Sequence, residues 1–459
     1  MTVRTDKLTE EDVLKYSEPG PRYTSYPTAN IWSDAFTAVD FEQTLQEGGH
    51  SSHLSVYVHV PFCEKLCHFC ACNRIIDRSH SKDEGFVRLL AQEVKIVRQL
   101  LGRSPSVDQM HWGGGTPTYL SPDLILSLAD TLRSHFRVSE DAELSIEVNP
   151  TVTTFAHLDA LKASGFNRIS MGVQDFDPAV QAIINRDQSF EQTHSLIEYC
   201  RNLGLNRINL DLIYGLPRQS RLTVENTVRL VVELRPSRIA LYSFANVPWK
   251  QPFHRKFLDS DLPTGLEKVQ LYLLARSMLE SEGYQAIGMD HFALPEDELA
   301  LAAKERKLHR NFMGYTTLPD LDLIGFGPSA ISHFGNTYSQ NTKLYSDYEK
   351  RISAGKLSTH LGHRLSQDDQ LREYVIASLM CNFFIDILKV EEIFGIQFSS
   401  AFKEELVELE PYEKNFLVEC SPHMIQVLPR GQILVRNVAM VFDRYLKLTT
   451  DPRRFSNTI

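Results

Sequence analysis

Three cysteines, Cys63, Cys67 and Cys70, stand as C-x3-C-x2-C in the stretch between Tyr57 and Cys72. Three thiolates so close together, on a loop after a strand-like run, can hold three irons of a [4Fe–4S] cluster and leave the fourth iron without a protein ligand. An open iron can chelate a small molecule. Structural zinc is the second reading, with Cys72, His59 or His68 as a further ligand, although no second cysteine pair follows at zinc-site spacing. A disulfide framework is not expected, because no signal peptide precedes the loop and the compartment is read as reducing. Cys200, Cys381 and Cys420 are isolated and read as buried, inert thiols.

Further residues with chemical potential recur where strands are predicted to end. Gly113-Gly114-Gly115-Thr116-Pro117-Thr118 follows the second strand; consecutive glycines let backbone approach a ligand, and serve equally well as a tight turn. The loop lacks the lysine of a P-loop and the spacing of a dinucleotide fingerprint. Glu147 ends the third strand, where a carboxylate can take an ammonium group or stand in solvent. Gln174 and Asp175 end the fourth, with Arg186 just beyond. Asp211 lies inside the apolar fifth strand, where a carboxylate is costly unless paired or bonded to ligand. The recurrence of such groups at successive strand ends is a stronger signal than any one of them.

The elements that must position these groups alternate. Strands are expected near 54–60, 110–113, 144–148, 168–173, 207–214 and 239–244. Helices are expected at 86–101, 124–136, 158–163, 190–203, 224–234 and 266–279. Six βα units imply a parallel sheet, and hence an incomplete α/β barrel with its chemistry at the C-terminal ends of the strands. The cysteine loop follows the first strand, where that rule places it. Residues 1–50 are polar without long periodicity and contain Gly20-Pro21-Arg22-Tyr23-Thr24-Ser25-Tyr26-Pro27-Thr28, which reads as an extended arm packed against something through Arg22 and its aromatic pair. The division expected is an arm over 1–50, a barrel over 51–345 and a smaller helical domain over 346–459. The last is expected to hold a strand pair near Met424–Val427 and Gln432–Val435.

The chain has 459 residues, 42% hydrophobic and 23% charged, which suits a large folded core. A net charge of −10 argues against general nucleic-acid binding but leaves room for a local basic pocket. No apolar run reaches the length of a membrane span, so a cytoplasmic protein without membrane contact is expected.

On these residues the chain resembles the radical S-adenosylmethionine (radical SAM) enzymes, and among them the oxygen-independent coproporphyrinogen III dehydrogenases of haem biosynthesis. The cysteine spacing indicates the superfamily. The narrower likeness rests on Gly20–Thr28, Tyr57-x-His59-x-Pro61-Phe62-Cys63, Cys70-x-Cys72, Gly113–Thr118 and Glu147–Pro150. It continues through Gly288–Ala293 and Ser329–Ser332.

The resemblance implies an incomplete (β/α)6 TIM-like barrel with an N-terminal arm and a mainly helical C-terminal domain. It implies a [4Fe–4S] cluster on Cys63, Cys67 and Cys70, and two S-adenosylmethionine molecules. The first would meet Tyr57, Gly114, Glu147 and Ile331; the second Phe69, Gly115, Thr116, Gln174, Arg186, Asp211 and Ala245. Cys72 would serve activity without binding the cluster. The implied reaction breaks S-adenosylmethionine reductively, removes a hydrogen from a propionate β-carbon of coproporphyrinogen III, and releases CO2 and one electron to leave a vinyl group, twice. Implied partners are the substrate and an electron donor such as flavodoxin or ferredoxin, acting on a monomer. The arm is expected to help close the site, with Arg22 a candidate for a substrate carboxylate.

Three positions depart from the family pattern: Ala71 for glycine, Asn246 for histidine and Met313 for glutamine. The last two bear on substrate choice. The rival readings are a haem-binding or haem-trafficking paralogue, with His291, His309 or Cys72 as ligands, and a radical SAM tetrapyrrole methyltransferase.

Overall fold

Six strands set the frame: β1 His53–Val60, β2 Ser106–Gly114, β3 Arg137–Val148, β4 Arg168–Gln174, β5 Arg207–Tyr214 and β6 Arg238–Ser243. They pair side by side, all parallel, in chain order. The computed structural model describes residues 15–249, 251–319, 321–448, 455, 457 and 458. Helices over 83–100, 122–135, 155–163, 190–202 and 221–234 connect the six strands. Beyond β6 the sheet gains antiparallel β7 Gln285–Ile287 and β8 His291–Ala293. On the other side, β9 Asp322–Phe326 runs parallel to β1. Antiparallel β10 Ile331–Phe334, β11 Thr337–Asn341 and β12 Thr359–Arg364 follow it. The order is β12-β11-β10-β9-β1-β2-β3-β4-β5-β6-β8-β7, with no pairing between its ends among the described residues. This is the incomplete barrel the alternation implied.

Each connecting helix turns an apolar stripe inward. In the helix Asp83–Leu100, Phe86, Leu90 and Val94 have no exposed surface, spaced four residues apart on one face. Strands β2 and β3 begin earlier than expected, because their first halves are polar (Ser106, Asp108 and Gln109; Ser139, Glu140, Asp141 and Glu143) and hide the extended pattern. A helix at Ala38–Glu47 also escapes the sequence reading. A capping box between Thr37 and Asp40 starts it, with the Thr37 N–H 2.8 Å from Oδ2, and it buries Phe41 and Leu45.

The helix Asp83–Leu100 carries a buried carboxylate with no cation beside it. Glu93 accepts from the Gly327 N–H at 2.7 Å, the Asn341 amide at 2.7 Å and the Tyr348 hydroxyl at 2.8 Å. It thereby fixes the turn after β9 against the barrel wall. Burial outweighs these hydrogen bonds and pushes Glu93 up to about 7. The folded chain therefore holds that proton more tightly than the unfolded chain, and stability falls as pH rises from about 4.5 to 7, by on the order of 3 kcal/mol. Glu93→Gln is expected to remove this slope, read as urea midpoints at pH 5 and pH 7.5 against wild type. An unchanged slope in the variant would refute the assignment.

The C-terminal part is mainly helical, with helices at Gln367–Asn382, Ile387–Phe394, Lys403–Lys414 and Val435–Met440. Its core gathers Val375, Leu379, Phe398, Phe402 and Phe442. Met424–Val427 is a strand, but it pairs with Phe384–Asp386 and Val418–Cys420. The expected partner at Gln432–Val435 is instead a 3-10 turn over Pro429–Leu434 running into a helix. Pro429 cannot donate to a ladder, and a side chain at Gly431 would strike the Leu417 carbonyl, so chain compaction wins over extension there. Strand β12 lies beyond residue 345 yet belongs to the large sheet.

The arm joins both parts. Tyr23 and Tyr26 sit in the C-terminal core, and the Tyr23 hydroxyl donates to Asp443 at 2.9 Å. Buried Arg436 donates to the carbonyls of Gly20 and Pro21. Pro19 forms a β-bridge with Asn457, and the Thr458 N–H donates to Glu18 O at 2.8 Å. Expectations for residues 1–14 lie outside the described residues.

Candidate active site

The cysteine loop leaves β1 at Pro61 and is pinched at its neck, where Phe62–Cys63 pairs with Ile75–Ile76 and the Asp77 N–H reaches Cys63 O at 3.0 Å. Its far side is tied to the segment after β4: His68 N–H to Ile184 O at 2.8 Å, and the Asn185 amide to Leu66 O at 2.6 Å. Asn185 adopts a left-handed backbone (φ 59°) to make that contact. The loop is thus held at the C-terminal mouth of the parallel strands.

Two donors face its sulfurs. Arg186 Nη1 lies 3.6 Å from Cys67 Sγ, and Thr116 Oγ1 lies 3.4 Å from Cys63 Sγ. A guanidinium and a hydroxyl aimed at sulfur stabilise thiolates, as outer partners of metal-bound thiolates do. Cys72 lies exposed two residues beyond Cys70. Among the described residues no three His, Cys, Asp or Glu side chains converge as ligands of a single ion. Three thiols on one loop, faced by a guanidinium and a hydroxyl, are a donor set that an iron–sulfur cluster uses.

The three glycines at the end of β2 stand in crowded surroundings. A Cβ on Gly113 would fall 2.8 Å from Glu147 Oε1, and one on Gly115 2.7 Å from Pro61 C and Phe62 O. Their absence lets the β2 turn pass between the cysteine loop and Glu147. That carboxylate is oriented at both oxygens: His111 Nε2 lies 3.2 Å from Oε1, and the Gly114 N–H donates to Oε2 at 3.3 Å. His111 stacks on Tyr57, with ring centroids 6.0 Å apart and planes at 10°, and bonds Ser145 Oγ at 2.6 Å. The Tyr57 hydroxyl meets His59 Nδ1 at 3.1 Å, and burial keeps His59 below the usual histidine range.

Around the mouth, Arg186 also donates to Gly172 O at 2.5 Å, and the Gln174 amide folds over Gly172. Gln174 is held at φ 68°, which costs roughly 1–2 kcal/mol for a side chain with a Cβ. Asp211 accepts from the Asn209 amide at 2.8 Å and Ser170 Oγ at 3.2 Å. Burial first, and then the Glu147 charge, push it up to about 6. Phe69 packs with Phe244 and Phe257 just before Ala245, and Ile331 packs against Trp32 and Phe312 at the start of β10. Asp175 turns elsewhere. Buried, it binds Gln219, Thr227 and the Asp177 N–H, as a structural hub.

Behind the mouth a polar cavity of about 100 Å³ runs into the barrel, lined by His111, Glu147, Asp211, Tyr242, His291 and Met313 among others. His111, Ser145, Ser170 and Asn209 were missed from sequence, although a signal existed. Polar residues occupy alternate positions in β2–β5 (Gln109, His111; Glu143, Ser145, Glu147; Arg168, Ser170; Asn209, Asp211), which in a strand means one face, here the barrel interior. Ala71 does not adopt a left-handed backbone, so its methyl group is accommodated. Asn246 Oδ1 is buried without a partner among the described residues.

Residues 57–231 match the radical SAM superfamily, and residues 365–434 match the HemN C-terminal domain. The chain is 43% identical to the oxygen-independent coproporphyrinogen III oxidases of Salmonella typhimurium and Escherichia coli, over 97% of this chain and 97% of each relative. It is 39% identical to that of Helicobacter pylori, over 98% of this chain and 99% of the relative. The solved structure of coproporphyrinogen III oxidase (HemN) from Escherichia coli, described as a radical SAM enzyme, superposes with a TM-score of 0.90 at 42% identity. It covers 96% of this chain and 100% of that one.

Proposed function

The chain belongs to the oxygen-independent coproporphyrinogen III oxidases of the radical SAM superfamily, and from that premise we propose that it converts two propionates of coproporphyrinogen III to vinyl groups, giving protoporphyrinogen IX. The observation that carries this reading is the placement of Cys63, Cys67 and Cys70 at the strand mouth, with Arg186 and Thr116 on their sulfurs and an oriented Glu147 facing the same loop. A [4Fe–4S] cluster and two S-adenosylmethionine molecules supply one-electron chemistry and hydrogen abstraction when bound.

The chain's own residues do the rest. Glu147, fixed by His111 and the Gly114 N–H, offers its carboxylate to the ammonium group of the first S-adenosylmethionine, which would also meet Tyr57, Gly114 and Ile331. Asp211, supported by Ser170 and Asn209, offers acceptors at the far side of the mouth, alongside Phe69, Gly115, Thr116, Gln174, Arg186 and Ala245. Cys72, exposed two residues beyond Cys70, serves activity without acting as a cluster ligand. The arm, with Arg22 against Asp290, narrows the opening to water.

A flavodoxin or ferredoxin as electron donor, a monomeric state and a cytoplasmic location complete the proposal. No described helix is long and apolar enough to cross a membrane. The full-length relatives above bear the oxidase name rather than one for haem trafficking or methyl transfer. The test is anaerobic: reconstituted protein, reductant, S-adenosylmethionine and coproporphyrinogen III should yield methionine and a product lighter by two CO2 and four hydrogens. Methionine without vinyl product would overturn the substrate.

A further inference from the structure

Four cations meet where the arm crosses the barrel mouth on the β5–β6 side. Arg22 lies over the Tyr242 ring at 5.5 Å, Lys268 over Tyr214 at 6.0 Å and Arg310 over Tyr315 at 5.3 Å. Arg436, 6% exposed, lies close enough to Arg22 and Lys268 for their charges to repel. The carboxylate among them is Asp290, paired with Arg22 and bonded to His291 at 2.7 Å.

The other partners are neutral. Arg436 and Arg310 spend donors on arm carbonyls, and Arg310 Nε is buried with no partner among the described residues. Among the described residues the ammonium of Lys268 has one acceptor in hydrogen-bond reach, the Phe244 carbonyl at 2.7 Å, although it can donate three bonds. Burial, then Arg436 and Arg22, pull Lys268 down to about 8. Clamping the arm explains the hydrogen bonds of Arg436. It does not explain gathering surplus positive charge in a desolvated corner, which is destabilising unless an anion joins it. The corner also borders the chemistry: Tyr242 lines the cavity that contains Glu147 and Asp211, and Phe244 precedes Ala245.

We propose that Lys268 and Arg22, backed by Arg310 and Arg436, form a carboxylate-binding subsite, walled by Tyr214 and Tyr242, that takes a propionate of the tetrapyrrole remote from the one reacting. The subsite deepens the function proposed above and rests on it for the identity of its ligand. Its chemistry is a cationic rim over aromatic faces, which suits a flat or puckered apolar macrocycle carrying peripheral carboxylates.

The test uses the anaerobically reconstituted holoenzyme. Coproporphyrin III and its tetramethyl ester are titrated by tetrapyrrole fluorescence against wild type, Lys268→Gln, Lys268→Arg and Arg22→Gln. The acid is expected to bind wild type at least about tenfold more tightly than the ester, one charge-assisted contact being of that order. The preference should shrink about tenfold in Lys268→Gln and in Arg22→Gln, and persist in Lys268→Arg. In turnover, KM for coproporphyrinogen III rises about tenfold in Lys268→Gln, with iron content and substrate-free cleavage of S-adenosylmethionine within about twofold of wild type. Equal binding of acid and ester by wild type overturns the subsite, as does a preference untouched in both charge-removing variants. If a variant loses its iron, the wild-type comparison and the other variant still decide. Wild type that yields no vinyl product overturns the proposed function instead, while the acid–ester titration continues to report on the subsite.

Discussion

Cys67→Ser is expected to leave the anaerobically prepared protein without its brown colour, with iron below about a tenth of wild type, and with turnover reduced on the order of 10³-fold or more. Loss of an outer partner of a metal ligand already costs about 10–100-fold, and loss of the ligand itself must cost more. A serine hydroxyl is a far weaker iron ligand than a thiolate, and it would leave Arg186 Nη1 without the sulfur it faces at 3.6 Å. Cys63→Ser and Cys70→Ser should behave alike. Cys200→Ser is the control: Cys200 is fully buried in the barrel core away from the loop, so its loss costs stability and leaves the iron in place. Iron and absorbance retained in all three loop variants would mean that these thiols are not the ligands.

Glu147→Gln is expected to raise KM for S-adenosylmethionine by about 10–100-fold with cluster iron unchanged, because a hydrogen bond to a charged partner contributes roughly 1.5–3 kcal/mol. The change keeps the shape of the side chain and one of its two acceptors. It removes the charge that an ammonium would meet, and it places an amide N–H₂ against either the Gly114 N–H or His111. The side chain is 44% exposed, so solvent screens part of the attraction and the lower half of that range is the better expectation. Variants with intact iron and an unaltered KM would remove Glu147 from the site.

How far the sequence spoke depended on where each signal was local. The cysteine loop, Arg207–Tyr214 and the βα alternation were legible because spacing and periodicity lie within a few residues. Glu147 and Asp211 were visible as charged residues at or inside strands, and Arg186 as one beyond a strand end. His111 was not, since its meaning comes from β1 and β3, where Tyr57 and Glu147 approach it. The Asp290 partner of Arg22 lies 268 residues away and could not be paired from a single sequence. Gln432–Val435 reads as a strand because Ile433, Leu434 and Val435 make a short apolar run, while the packing of Gly431 on Leu417 that turns the chain there is tertiary. Fold and site chemistry were therefore readable where the chain is its own neighbour, and hidden where distant strands supply the neighbour.

The meeting of Glu18 and Pro19 with Asn457 and Thr458 imposes an order in time. Nearly four hundred residues separate Cys70 from Thr458, so at roughly 5–20 residues per second a ribosome exposes the thiol loop about 20–80 s before the tail that seats the arm. Iron delivery to the nascent protein has that window, before the entrance is latched by a segment made long after the loop.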